Sequence, residues 1–159
     1  MADGRPIQWA LRHPLVTAAG VTLAGLVVVG ALAHMVAPYS PTAVDSSHVF
    51  SPPGGSHLFG TDRFGRDLLS RVLFGIRVSL GIAGAAIAVA LLTGGTLGML
   101  AGLGRVADQA LGRVMDVFFA FPPILLAIGI AAVLGAGPGT AVVAIAVVYT
   151  PLFFRVIRG

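Results

Sequence analysis

Side chains able to do chemistry are sparse in this 159-residue chain. Four histidines, His13, His34, His48 and His57, and six aspartates are the ordinary bases and metal ligands, and there is no cysteine. His13 and His34 bracket one apolar run, so they cannot share a site. His48, His57, Asp62 and Asp67 could converge as nitrogen and oxygen ligands of a metal ion. Their spacing matches no zinc signature, and solvated loop residues are the favoured reading. No Gly-x-Ser-x-Gly elbow or His-Glu-x-x-His motif is present, and Gly60-Thr61-Asp62-x-x-Gly65 lacks the Gly-Lys-Ser/Thr end of a phosphate loop. The expectation is therefore a chain with no catalytic residue, no metal ligand and no cofactor of its own.

The elements that position these residues are membrane elements. Hydrophobic residues make up 57% of the chain and charged ones 10%, against about 25% charged in a soluble domain. The apolar residues run in blocks near the length that crosses a bilayer. All basic residues are Arg and all acidic ones Asp, and they sit at the ends of the blocks. Flanking anchors therefore explain the net charge of +4 better than nucleic-acid binding does. The fold class expected is all-α integral membrane, with four transmembrane helices and an extracytoplasmic amphipathic helix.

Residues 1–14 form a short polar N-terminus, and Pro14 suits a first helical position. Residues 15–37 make the first span; the run is too long for a signal-peptide core, which favours an uncleaved helix over cleavage after Ala31-Leu32-Ala33. Residues 38–77 form a loop rich in Pro, Gly, Ser and Asp. It closes with an amphipathic helix over 66–77, in which Asp67 and Arg71 are spaced to pair. Residues 78–103 make a second span. Along it Ala86, Ala90, Gly94, Gly98 and Gly102 recur every four residues, a stripe that lets a second helix approach closely. A polar connection follows over 104–116, with Arg105, Asp108, Arg113 and Asp116. Span three covers 117–134, disturbed by Pro122-Pro123. After a glycine turn with Thr140 as N-cap comes span four over 141–157, interrupted by Pro151 and ending with Arg155 and Arg158.

Six Arg in short segments (5, 12, 105, 113, 155 and 158) against four in the longer loop place the N-terminus in the cytoplasm. Asp116 and Arg155 then lie at one membrane face, and a pair between them is expected, directly or through Arg158.

The stretch Leu58–Leu80 carries the strongest pattern: Gly60-Thr61-Asp62, Gly65-Arg66-Asp67, Ser70-Arg71, Gly75-x-Arg77 and Ser79-Leu80. With D-x4-R-x2-D-x5-P from Asp108 through Arg113 and Asp116 to Pro122, and with Arg155-Val156-Ile157-Arg158, it resembles the C-type inner-membrane permease subunit of ABC importers for dipeptides, oligopeptides and nickel. The resemblance implies part of a translocation path and no bond chemistry. It implies a second permease subunit, two cytoplasmic ATPase subunits that bind ATP and Mg, and an extracytoplasmic binding protein, all in a bacterial inner membrane. Family members continue past the region of Arg158 into a helix with a Glu-Ala-Ala signature and two more spans. The expectation is an N-terminal portion of such a permease. The alternatives are a non-transporting remnant or one half of a split permease, acting as a membrane interaction partner, and, from another class, a metalloprotein built on the loop His and Asp.

Overall fold

The computed structural model describes residues 13–159. The expected polar N-terminus, with Arg5 and Arg12, lies almost wholly outside them. Helices α1 (Pro14–Ala31), α2 (Ala33–Val36), α3 (Leu68–Ala101), α4 (Arg105–Ala120), α5 (Pro123–Leu134) and α6 (Pro138–Arg158) follow in order, with a 3-10 turn at Ser46–His48. Three of them, α1, α3 and α6, are long and apolar enough to cross a membrane, and α4 with α5 makes a fourth if the bent pair counts as one span. The chain divides into two compact units, Met1–Leu80 and Gly81–Gly159, with the boundary inside α3.

In the first unit, Pro14 sits at the first position of α1, where its missing N–H leaves no bond unmade. Nearly all of α1 is apolar and exposed, which is the surface a lipid-facing helix needs. The first span is shorter than expected. A turn at Leu32, where the Met35 N–H bonds the carbonyl three residues back (2.8 Å), separates α1 from α2. Gly30 lies against Ile76 and the backbone of Arg77; a Cβ there would stand 3.2 Å from the Ile76 side chain. Residues 37–67 fold into a cap whose only extended pairing is a bridge between Thr61 and Asp67.

The expected interfacial helix over 66–77 and the span over 78–103 are one helix, α3, of 34 residues and about 51 Å. Neither proline nor a left-handed glycine intervenes to break it, so the amphipathic pattern is its first three turns.

In the second unit, the expected polar connection over 104–116 is helical. Leu111, Met115 and Phe118 recur at i, i+4 and i+7, and Met115 packs with Ala101 and Phe154 in a small core that Leu97 and Leu111 flank. The third span is not one straight helix. α4 and α5 meet at 92°, because Pro122 and Pro123 lack the N–H that would continue α4 and force an extended backbone before them (Phe121 ψ 135°). Thr140 is not the cap of α6; Gly137 takes that position and Pro138 the first turn. Gly94 and Gly98 of the stripe face α6. A Cβ at Gly94 would run into the Thr150 carbonyl and stand 2.9 Å from Phe153 and Phe154, and one at Gly98 would stand 3.0 Å from the Phe154 carbonyl. Gly102 meets only its own turn.

Candidate functional site: the cap of the long helix and the charged end of the last

The sequence Gly60 to Arg71 folds as a knot of hydrogen bonds around two aspartates. Asp67, 3% exposed, is the N-cap of α3: Oδ2 accepts from the Ser70 N–H (2.8 Å) and the Ser70 hydroxyl (2.7 Å). Its other oxygen, Oδ1, lies 3.0 Å from His57 Nδ1. Burial works to raise the Asp67 pKa, but the Ser70 and His57 hydrogen bonds outweigh it and hold the carboxyl below the usual range. Ser70 is fully buried and accepts from the Tyr39 N–H (3.1 Å), and the Tyr39 ring stacks on His57 (4.9 Å).

Asp62 organises the other side. Its Oδ1 accepts from the N–H groups of Phe64 (2.8 Å) and Arg66 (3.1 Å), and its Oδ2 meets Arg66 (2.8 Å) and Arg71 (3.1 Å). Partial burial opposes ionisation, yet the Arg66 guanidinium and these backbone bonds bring the pKa down to about 2. Thr61 accepts from the Ser51 N–H (2.9 Å) and donates to the His48 carbonyl. The glycines are required here. Gly60 (φ +74°) and Gly65 (φ +71°) are left-handed, and a Cβ would strike the Ser51 carbonyl at 2.5 Å or the Asp45 carbonyl, respectively.

Asp67 and Arg71 do not pair as their spacing suggests. Capping draws Asp67 inward to Ser70 and His57, and Arg71 turns to Asp62. His48 bonds Asp45 (2.8 Å) and its ring lies 5.7 Å from that of His57. Among the described residues no group of three or more His and Asp is placed to hold a metal ion. Gly75 has open space beside it. Among the described residues Arg77 and Arg113 form no ion pair.

In the second unit, Arg158 pairs with Asp108 (2.7 Å) and lies on Gly112, while Arg155 meets Asp116 (3.6 Å) and stacks on Phe119 (4.2 Å). The expected Asp116–Arg155 contact is thus present, and Arg158 takes its own partner.

Sequence reading missed Tyr39 and Ser51, and placed His57 near Asp67 only as a candidate metal ligand. The Asp-x-x-Ser spacing before an apolar run is a local capping signal that points to Asp67. No local signal brings in His57 or Tyr39, which arrive through the loop fold.

This arrangement can lock a loop to a helix start and one helix end to another. The Ser70 hydroxyl is spent on Asp67, and its oxygen lies beside the Tyr39 N–H; in the exposed turn at Ser46–His48 the Ser47 hydroxyl donates to Asp45 and lies 3.0 Å from His48 Nδ1.

No family model matches the chain. It is 38% identical over 146 residues to the dipeptide transport system permease protein of Alkalihalophilus pseudofirmus, covering 87% of this chain and 48% of that one. It is 38% identical over 151 residues to the glutathione transport system permease protein of Pectobacterium atrosepticum, covering 94% and 50%. It is 41% identical over 133 residues to the di/tripeptide transport system permease protein of Pseudomonas aeruginosa, covering 79% and 44%. The chain spans about half the length of the curated relatives it matches. With its all-helical build and its helices of membrane-crossing length, the chain is similar over most of its length to permease proteins of dipeptide, peptide and glutathione transport systems.

Proposed function

We propose that this chain is part of the permease subunit of an ATP-driven importer of dipeptides or oligopeptides, and that it lines part of the translocation path. The observation that carries this reading is the identity of 35–42% to peptide, dipeptide and glutathione permeases across most of the chain. Helices long and apolar enough to cross a membrane support the same reading. Around the chain stand a second permease subunit, two cytoplasmic ATPases that bind ATP and Mg, and an extracytoplasmic binding protein. It lies in a bacterial inner membrane with its N-terminus in the cytoplasm. The residues of the cap and of the charged helix end, from Gly60 to Arg77 and from Asp108 to Arg158, shape the path and its supports rather than touch a reacting atom.

Uptake of labelled dipeptide, glutathione and nickel, measured in cells with the gene deleted and then restored, tests this. Dipeptide uptake should fall on deletion and return on restoration. Nickel uptake alone responding would move the substrate class, and unchanged uptake of all three would overturn the transport reading.

A further inference from the structure

We propose that Arg77 holds the phosphate of an anionic phospholipid in the leaflet that the cap faces. This goes beyond the transport reading and does not depend on what is carried. Two contacts of the first unit fix the depth of Arg77. The apolar run ends at Ala37, and the Tyr39 N–H bonds the Ser70 hydroxyl (3.1 Å), so Ser70 marks the edge of the apolar layer on α3. Arg77 lies seven residues further along α3, about 10 Å deeper. On α1, Gly30 packs on the same residue: a Cβ there would stand 3.3 Å from the Arg77 Cα. Gly30 is itself seven residues before Ala37, so both helices give one depth. Both are long and apolar enough to cross a membrane. Arg77 is exposed, with exposed Val72 and Val78 near it, and its backbone is therefore inside the hydrocarbon layer.

Nothing in the described chain meets this charge. Arg77 makes no ion pair, side-chain hydrogen bond or cation–π contact among the described residues. The described carboxylates of the unit are spent: Asp45 on Ser47 and His48, Asp62 on Arg66 and Arg71, Asp67 on Ser70 and His57. Side chains lean toward the N-terminus of their helix, and α3 starts at the cap. Arg77 thus reaches back about one turn, which leaves its guanidinium about 5 Å below Ser70. That is the boundary of headgroups and acyl chains. Guanidinium N–H groups need acceptors in so dry a place, and a phosphate fills their planar fork with two parallel bonds. An anionic lipid suits the site better than a zwitterionic one, because Arg77 is an uncompensated positive charge that a headgroup ammonium would oppose.

The test is native mass spectrometry of the protein purified in mild detergent with the subunits that accompany it, titrated with phosphatidylglycerol and, separately, with phosphatidylethanolamine. Wild type should hold phosphatidylglycerol the more tightly. Arg77→Gln should weaken phosphatidylglycerol binding about tenfold, the loss of one charge-assisted pair, and leave phosphatidylethanolamine within about twofold. Arg63→Gln removes a cation of the cap that stacks on Phe64 and should change neither. Arg77→Lys keeps the charge and loses the fork, so it should weaken phosphatidylglycerol about threefold. If only the Lys variant assembles, wild-type affinity in it overturns the proposal. Equal loss of both lipids in Arg77→Gln marks a packing role and overturns it. An equal effect of Arg63→Gln and Arg77→Gln marks diffuse attraction and overturns it too. Unchanged phosphatidylglycerol binding in Arg77→Gln does the same, and is the result a carboxylate of another subunit on Arg77 would give.

Discussion

Replacing Asp67 by Ala should open the cap without unfolding the membrane helices. Loss of an N-cap costs about 1 kcal/mol. The change also strands the Ser70 N–H and hydroxyl, both fully buried, and the His57 ring, now without its acceptor. Leaving such groups unpaired adds about 1–3 kcal/mol. The sum, about 2–4 kcal/mol, raises the open population of the cap by a factor of about 30 to 1,000. The readout is tryptic cleavage after Arg63, Arg66 and Arg71 in the detergent-solubilised chain, since cleavage follows the open population where reclosing is fast. Asp67→Asn keeps an oxygen for the Ser70 N–H and puts an amide N–H in place of the oxygen facing His57, so its cleavage should fall between wild type and Asp67→Ala. Cleavage of Asp67→Ala within about threefold of the wild-type rate would refute the placement of Asp67 as the joint between loop and helix.

Gly94→Ala should destabilise by about 1–3 kcal/mol, because its Cβ meets α6 backbone that cannot move aside, whereas Gly84→Ala, with open space, should be neutral or slightly stabilising; thermal melts in detergent compare the two. Gly65→Ala combines a left-handed φ with a collision at the Asp45 carbonyl, so it should speed cleavage of the cap where Gly55→Ala does not. Double-mutant cycles should give a coupling near 1 kcal/mol for Asp108 with Arg158 and under about 0.5 kcal/mol for the longer, more exposed pair of Asp116 with Arg155. Acid should loosen the cap. Asp45 and Asp62 titrate at about 2 in the fold against 3.8 otherwise, and Asp67 is also lowered, so their contribution is complete above about pH 4 and is lost as pH falls toward 2. Pepsin, which works in that window, should cut near Phe59 and Phe64 increasingly fast as the pH drops. Cutting that tracked only the activity of pepsin on an unfolded peptide would count against this.

The membrane character was legible because hydrophobic length is a local property: α1, α3 and α6 are each long and apolar enough to cross a bilayer. The stripe residues Gly94 and Gly98 were legible as a contact face for the same reason, since four-residue spacing needs no knowledge of the partner. The helix of Arg105–Ala120 was harder, because its charges suggest a loop, and only the i, i+4, i+7 spacing of Leu111, Met115 and Phe118 reveals its buried side. The depth of the break at Pro122 and Pro123 was under-read: two prolines announce a disturbance, but a 92° turn depends on what α5 packs against. In the cap, the glycines and Asp62 act locally and stand out in the sequence. The partners of Asp67 do not. Arg71 lies four residues away and looks like the natural mate, while His57 comes from ten residues upstream, and Tyr39, which bonds Ser70, comes from 31 residues before that serine. A loop fold decides between them.

The N-cap of α3 has a bearing on how the protein is made. Every partner that fixes its start, Tyr39, His57 and Ser70 among them, lies before or within the first turn of the helix. Synthesis runs from the N-terminus at about 5–20 residues per second, so the remaining 31 residues of α3 take about 1.5 to 6 s to follow. Closing a loop of this size is far faster than that. The cap can therefore settle the register of the long helix while most of that helix is still inside the ribosome, and the apolar segment is handed to the bilayer with its first residue already chosen.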